Sequence, residues 1–482
     1  MKKSYLFLLL FAGMITGSCY AADLIRVASP TYCSDIQGNT TIQITAPTYT
    51  TVNVHCWKQG TGQGTYTLVG AVTLDANGAG SIVFPADEFP HGPLNIRIRG
   101  TNKANYTDNC YLQLYNKGGV SWNEGLPPTP RAAEGLQLVF FDDFDGPLSI
   151  GSNPAIHTYY DHKPPHGSQD FSSLPFRDYN SVRNPFKQMD TYLRIRANAN
   201  NQSSGLISSY FSNNTGVDAS VPCYFECRFI GPNAPGSWPA FWLLSKKDNM
   251  GDDSEPCDEL DIIEAYGNLP EHEKYVYRLA AHPWGQTGEV EKISHDFYYG
   301  PGIVDMSKFG ILSTWFDLPH IYGCKITETN TIYYCDNKEV ARHKTFPISK
   351  SKPLYFLINL ATGGGWPVDL SRYGGIIDMY VDYVRVYSGV ASSTPKIEKE
   401  NVNVEVYPNP ASDSVTVSLK ACDPVDVFVG IYNTLGQQLS YYQDCRQGEV
   451  EIPVDMSNMT NGVYLAKINV GDVQVNKKII KQ

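Results

Sequence analysis

Apolar and polar residues alternate with a period of two through much of this chain, and no long stretch carries the 3.6-residue period of an amphipathic helix. Segments such as Thr41-Ile42-Gln43-Ile44, Thr51-Val52-Asn53-Val54 and Leu94-Asn95-Ile96-Arg97-Ile98 put one set of side chains on each face of an extended strand. Turn signals separate them, among them Asn77-Gly78 and His91-Gly92-Pro93. The 32 Tyr, 41 Gly and 31 Pro suit short strands and many turns better than helical bundles. The pattern predicts an all-β protein. At 482 residues the chain is too long for one hydrophobic core, so several β-domains are expected.

Residues 1–21 read as a signal peptide: Lys2 and Lys3 precede an apolar run from Tyr5 to Ile15, and Cys19-Tyr20-Ala21 resembles a small-residue cleavage site. The run is too short to span a bilayer, and no other stretch is long and apolar enough. Lipidation at Cys19 is a second reading of the same segment. Residues 22–127 are expected to form an immunoglobulin-like β-sandwich, acting as a spacer or as a carbohydrate binder. A stiff connector, Leu126-Pro127-Pro128-Thr129-Pro130, leads into 128–388, a strand-rich stretch of the size of one large sandwich or jelly roll. A linker at 389–401 and a small C-terminal β-sandwich at 402–482 complete the chain. The formal net charge of −11 argues against nucleic acid or an anionic membrane as the main partner. Ten Cys remain after cleavage, and Cys324–Cys335 and Cys422–Cys445 are plausible disulfides by proximity in an exported protein.

The chemistry concentrates in Cys257-Asp258-Glu259-Leu260-Asp261-Ile262-Ile263-Glu264. In a regular strand Glu259 and Asp261 share a face, while Glu264, five residues from Glu259, points the other way. One bulged residue at Ile262 or Ile263 returns Glu264 to the acidic face. Three acids crowded there raise at least one carboxyl pKa, so a protonated acid and an ionised nucleophile coexist, as glycoside hydrolysis requires. With 49 acids in 482 residues, such a triplet arises by chance about 0.5 times in a chain this long, so the acids alone decide little. Their flanks add weight. Trp238 and Trp242 lie in Gly236-Ser237-Trp238-Pro239-Ala240-Phe241-Trp242, and Trp366 lies in Gly363-Gly364-Gly365-Trp366-Pro367. Indole faces stack on sugar rings; core packing is the competing reading, held open for Trp242.

With these motifs assembled, residues 136–388 resemble glycoside hydrolase family 16, the laminarinase, agarase and carrageenase family. The resemblance runs in order through Phe140-Phe141-Asp142-Asp143-Phe144-Asp145-Gly146, Cys223-Tyr224-Phe225-Glu226-Cys227-Arg228, the Trp-Pro-Ala-Phe-Trp run and the Glu-x-Asp-x-x-Glu strand. It closes with Asn359-Leu360-Ala361-Thr362-Gly363-Gly364 and Tyr380-Val381-Asp382-Tyr383-Val384-Arg385. It implies a β-jelly roll and a retaining double displacement on a β-1,3-glucan or β-galactan. Carried over, Glu259 is the nucleophile, Asp261 its assistant and Glu264 the general acid/base, with Trp238, Trp242, His282, Asn359 and Trp366 binding substrate. His282 lies eighteen residues beyond Glu264. No cofactor is required for the reaction, but the family implies a structural calcium, matched by Asp143, the Gly146 carbonyl and Asp382; ordinary turn and strand acids are the competing reading.

The tail, with Val406-Tyr407-Pro408-Asn409-Pro410 and Asn461-Gly462-Val463-Tyr464, resembles the C-terminal sorting domain of the type IX secretion system. It implies a Bacteroidota source, the secretion machinery as a partner, and a secreted or cell-surface location; a monomer is expected. A non-catalytic glycan-binding surface protein and a transglycosylase are the two alternatives to a hydrolase.

Overall fold

The computed structural model describes residues 24–58, 66–119, 129–164, 171–252, 254–287, 302–389, 404–433, 438–470 and 473–482. The signal-peptide reading therefore lies outside the described residues, as do the whole 389–401 linker except Gly389 and the start of the Pro-rich connector. The protein is almost entirely β. No helix among the described residues is long and apolar enough to cross a membrane.

The N-terminal strands form a three-stranded and a five-stranded sheet. Period-two alternation is followed closely: in the strand Thr51–Trp57, Val52, Val54 and Cys56 are buried while Thr51 and Asn53 face out. Two larger sheets follow. An eight-stranded sheet contains Gln137–Asp142, Cys223–Ile230, His320–Ile326 and Ile376–Ser388. A six-stranded sheet runs in the order Gly205–Ser208, Leu354–Thr362, Ser237–Ser245, Cys257–Glu264, Val276–Trp284, Ile303–Asp305. Their inner faces share one apolar cluster, with Phe225, Phe229, Phe241, Leu243, Leu260, Phe356 and Ile358 at its centre. This is a jelly-roll sandwich, two antiparallel sheets closed on one core.

The strand Ile376–Ser388 is buried on almost every residue, which calls for a partner on its outer face. At one end that partner is the N-terminal module: the Gln113 side-chain amide donates to the Asp378 carbonyl at 2.8 Å and accepts from the Asp378 amide at 3.0 Å. Arg372 adds hydrogen bonds to the Ile25 carbonyl and an ion pair to Asp108. The apolar cluster of the jelly roll continues into the N-terminal module through Ile25, Ile96 and Leu112. Further along the strand, Arg385 pairs with Glu226 of the neighbouring strand at 2.6 Å.

The C-terminal strands form a five-stranded sheet. Its two longest strands, Ser414–Tyr432 and Gln438–Asp455, pair along their length with a break in register between Ala421 and Val425. One cluster holds Val415 and Leu419 from before the break and Val427 and Ile431 from after it, so the sheet closes on its own core.

The expected Cys324–Cys335 disulfide does not form; both are free, buried thiols. Register explains it. Cys324 stands opposite Tyr333, and Cys335 stands opposite Tyr322. The two thiols are diagonal neighbours, about 7–8 Å apart on a sheet, beyond disulfide reach. The side chains of Cys422 and Cys445 lie outside the described residues.

Candidate active site

The strand Cys257–Glu264 lies near the middle of the six-stranded sheet, between Ser237–Ser245 and Val276–Trp284. Along one neighbour, Trp242 pairs with Asp261 and Phe241 with Ile263, so Ile262 is left over. Along the other, Asp261 pairs with Ala280 and Glu264 with Arg278, two residues apart on that strand but three on this one. The chain therefore bulges at Ile262-Ile263. Both isoleucines are buried, and the extra residue turns Glu264 onto the side where Glu259 and Asp261 stand. The bulge that the spacing demanded is present.

The three carboxylates open on one cleft of about 360 Å³, lined also by Trp238, Trp242, His282 and Asn359. Each is held. Glu264 accepts from the Trp238 indole N–H and the Tyr266 hydroxyl, both at 3.1 Å. Glu259 accepts from the Trp284 indole at 3.1 Å. Asp261 lies 3.6 Å from Nε2 of His282, and the His282 ring stacks on Trp284 with centroids 4.9 Å apart. Beneath them, the Trp242 indole donates to the Asn359 carboxamide at 2.8 Å, and Asn359 reaches back to the Trp238 carbonyl at 3.4 Å. Trp242 is both things its sequence context allowed: a buried residue of a small apolar cluster and part of the cleft wall. Trp366, half exposed, meets Tyr266 at the rim, with ring centroids 6.1 Å apart.

Burial decides the ionisation here. It pushes the Asp261 carboxyl well above the usual aspartate range, with the charges of Glu259 and Glu264 adding to the rise. Burial also raises Glu264; the Glu259 charge pushes the same way, and the Tyr266 and Trp238 hydrogen bonds pull partly back. Folding thus takes up protons at Asp261, and the stability it costs grows as pH rises from the unfolded value, about 4, towards the raised folded one. Asp261→Asn is expected to stabilise the fold at pH 7 by about 0.5–2 kcal/mol and to do nothing at pH 3. Thermal denaturation at the two pH values checks this, and an equal shift at both would contradict it.

All eight sequence-read residues of the acid strand and its substrate set are placed, and seven line the cleft: Glu259, Asp261, Glu264, Trp238, Trp242, His282 and Asn359. Trp366 stands at its edge. Besides Ala240, which lies within the Trp238–Trp242 run, four lining residues were not anticipated: Lys163, Phe171, Tyr266 and Trp284. Two carried a signal, since Tyr266 lies two residues past Glu264 and Trp284 two past His282, on the faces those residues already marked. Lys163, with its ammonium 5.8 Å from the Trp242 ring centroid, and Phe171 arrive from distant loops and carried none. The aromatic segment at Phe297, Tyr298 and Tyr299 lies outside the described residues.

Among the described residues, Glu259, Asp261 and His282 also place ligand-type atoms within 4.8 Å of one another, as do Asp161, His162 and Asp178, and His320, Cys335 and Asp336. The last group is explained internally: the buried His320 pairs with the part-buried Asp336 at 2.7 Å. The residues expected to hold calcium lie on the other sheet. Asp382 faces Arg228 at 3.4 Å, and Asp143 faces Lys467 at 3.6 Å.

Residues 405–482 match the family model described as Secretion system C-terminal sorting domain. The chain is 34% identical over 322 residues to Endo-1,3-1,4-beta-glycanase EglC of Rhizobium meliloti, covering 62% of this chain and 62% of that protein. It is 26% identical over 324 residues to Glucan endo-1,3-beta-glucosidase A1 of Niallia circulans, covering 61% of this chain and 45% of that one. The structure of an endo-beta-1,3-glucanase from Pyrococcus furiosus aligns over 53% of this chain and 96% of that chain, at 22% identity and a TM-score of 0.40. The chain spans less than two thirds of the length of these curated relatives. The C-terminal match bears out the resemblance to the sorting domain, and the relatives named as β-glucanases agree with the family resemblance read from residues 136–388.

Proposed function

We propose that this protein is an endo-acting, retaining glycoside hydrolase that cleaves β-1,3-linked or mixed-linkage β-glucan. The observation that carries the reading is the bulge at Ile262-Ile263, which brings Glu264 into the cleft of Glu259. In the first step the Glu259 carboxylate attacks the anomeric carbon while protonated Glu264 gives its proton to the departing glycosidic oxygen; a glycosyl ester on Glu259 forms and the aglycone leaves. In the second, the Glu264 carboxylate takes a proton from water, whose oxygen attacks the same carbon and releases Glu259. Burial favours the protonated form of Asp261, and in that form it offers its proton towards Glu259 and steadies it as an ester. Trp238, Trp284 and Trp366 present ring faces and edges along the cleft for successive sugars. The similarity to proteins named as endo-acting β-glucanases supports the substrate class, and the C-terminal sorting domain supports export of the chain to the cell surface or beyond it.

Incubation with laminarin, mixed-linkage glucan, agar, porphyran, carrageenan and mucin-type glycans tests this, read by new reducing ends and by proton NMR of the first anomer released. Expected are reducing ends from the two glucans, a fall in viscosity ahead of small products, and the β-anomer first. Binding without new reducing ends would leave a glycan-binding protein, cleavage confined to agar or porphyran would move the substrate to galactans, and the α-anomer first would make the enzyme inverting.

A further inference from the structure

On the eight-stranded sheet, the sheet that does not carry the catalytic acids, the strand Gln137–Asp142 ends in a tight corner over 142–146. Asp142 builds it. One carboxylate oxygen accepts from the Phe144 amide and the other from the Tyr159 hydroxyl, both at 2.9 Å, and Phe144 takes a positive φ of 52°. Asp143 and Asp145 then converge on one point, and the group at that point belongs to the C-terminal module. The Lys467 ammonium lies 3.1 Å from Asp145 and 3.6 Å from Asp143, and the Tyr432 hydroxyl donates to the second oxygen of Asp145 at 2.6 Å. Lys467 and Tyr432 sit on paired strands of that module, where Gly430 stands opposite Lys467 and Tyr432 opposite Leu465. The Lys467 side chain is only 7% exposed. A lysine held so far from water needs a counter-charge, and this corner supplies it.

We propose that the 142–146 corner is a docking socket for the C-terminal sorting domain, with Lys467 as the plug and Tyr432 as its second contact. The corner also contains Asp143 and Gly146, two of the three ligands of the expected calcium. The third, Asp382, is turned to Arg228. A divalent ion bound to the Asp143 and Asp145 oxygens would stand a few ångströms from a buried ammonium, and like charges at that distance repel strongly. Ion and lysine are therefore alternative occupants, and while the tail is attached the lysine holds the place. The socket's position on this sheet seats the sorting domain away from the cleft, and the proposal does not depend on the glycosidase reading.

Hydrogen exchange on the full-length chain tests it, comparing wild type with Lys467→Met, Asp145→Asn and the double variant. Lys467→Met is expected to speed exchange of the amides at 142–146 by about tenfold, and Asp145→Asn to speed exchange at 463–470 across the contact by a similar factor. The double variant should do no more than either single one, as for two halves of one contact. Should Lys467→Met unfold its own module, seen as exchange at 415–419, Asp145→Asn carries the test from the other side. Unchanged exchange across the contact would overturn the proposal. Calcium chloride added to the wild-type chain is expected to change neither segment; protection at 142–146 with loss of protection at 463–470 would show the ion taking the socket from the lysine, and would overturn it too.

Discussion

Glu259→Gln is expected to lower kcat/KM on laminarin by about ten-thousand-fold or more, with the Kd for the polysaccharide changed only a few-fold. Gln fills the same volume and keeps an oxygen to accept from Trp284, so the wall of the cleft is preserved, but an amide does not attack an anomeric carbon. Glu259→Ala gives the sharper assay. It leaves a space on the face from which the nucleophile came, and azide supplied there attacks once. On an activated aryl β-glycoside the product is then the α-glycosyl azide, since one displacement inverts and no second one follows. Restored turnover with that product assigns Glu259 as the nucleophile. Wild-type-like cleavage by Glu259→Gln, or a β-glycosyl azide from Glu259→Ala, would remove the assignment.

Glu264→Ala is expected to lower kcat/KM on laminarin by about a hundred- to ten-thousand-fold and to change the shape of the pH profile. The sign follows from the burial that raises the Glu264 carboxyl. Below that raised value Glu264 holds its proton and can protonate the leaving group; above it the proton is lost and kcat/KM falls. The alkaline limb of the wild-type profile should therefore lie above the ordinary glutamate range, and in Glu264→Ala that limb should flatten. A substrate whose leaving group needs no proton, such as a dinitrophenyl β-glycoside, should form the glycosyl-enzyme in the variant almost normally and stall there, giving a burst. Azide then resolves the intermediate to the β-glycosyl azide, by two inversions. An alkaline limb that persists unchanged in Glu264→Ala would show that another group titrates.

Much of this was legible in one dimension because a strand is nearly one-dimensional. Side chains two apart share a face whatever the rest of the fold does, so Glu259 and Asp261 could be set together, and the odd spacing to Glu264 demanded the bulge seen between Asp261 and Glu264. The same rule would have reached Tyr266 and Trp284 had it been carried two residues further. What it does not reach is anything fixed by register between strands. Cys324 and Cys335 look close along the chain, yet the rungs that join their strands hold them on a diagonal. Lys163 and Phe171 enter the cleft from loops, where no period operates. Lys467 was unreadable for a stronger reason: its partners lie more than three hundred residues earlier, and a lone lysine in a strand looks like a solvated one.

The hold of Gln113 on the backbone of Asp378, with Arg372 clasped to Asp108, bears on how such genes are shuffled. A binding module joined by a connector can be traded between enzymes because each piece keeps its own surface. Here the surfaces are spent on each other, and one core runs through both. A recombination that carried off the jelly-roll sandwich alone would strand Arg372 with no carboxylate before it, and would bare to water the outer face of a strand from the interior of its sheet. The two sandwiches fold as one packed unit. The N-terminal one is in this sense an outer wall of its neighbour, and a boundary drawn between them at the connector cuts through one core.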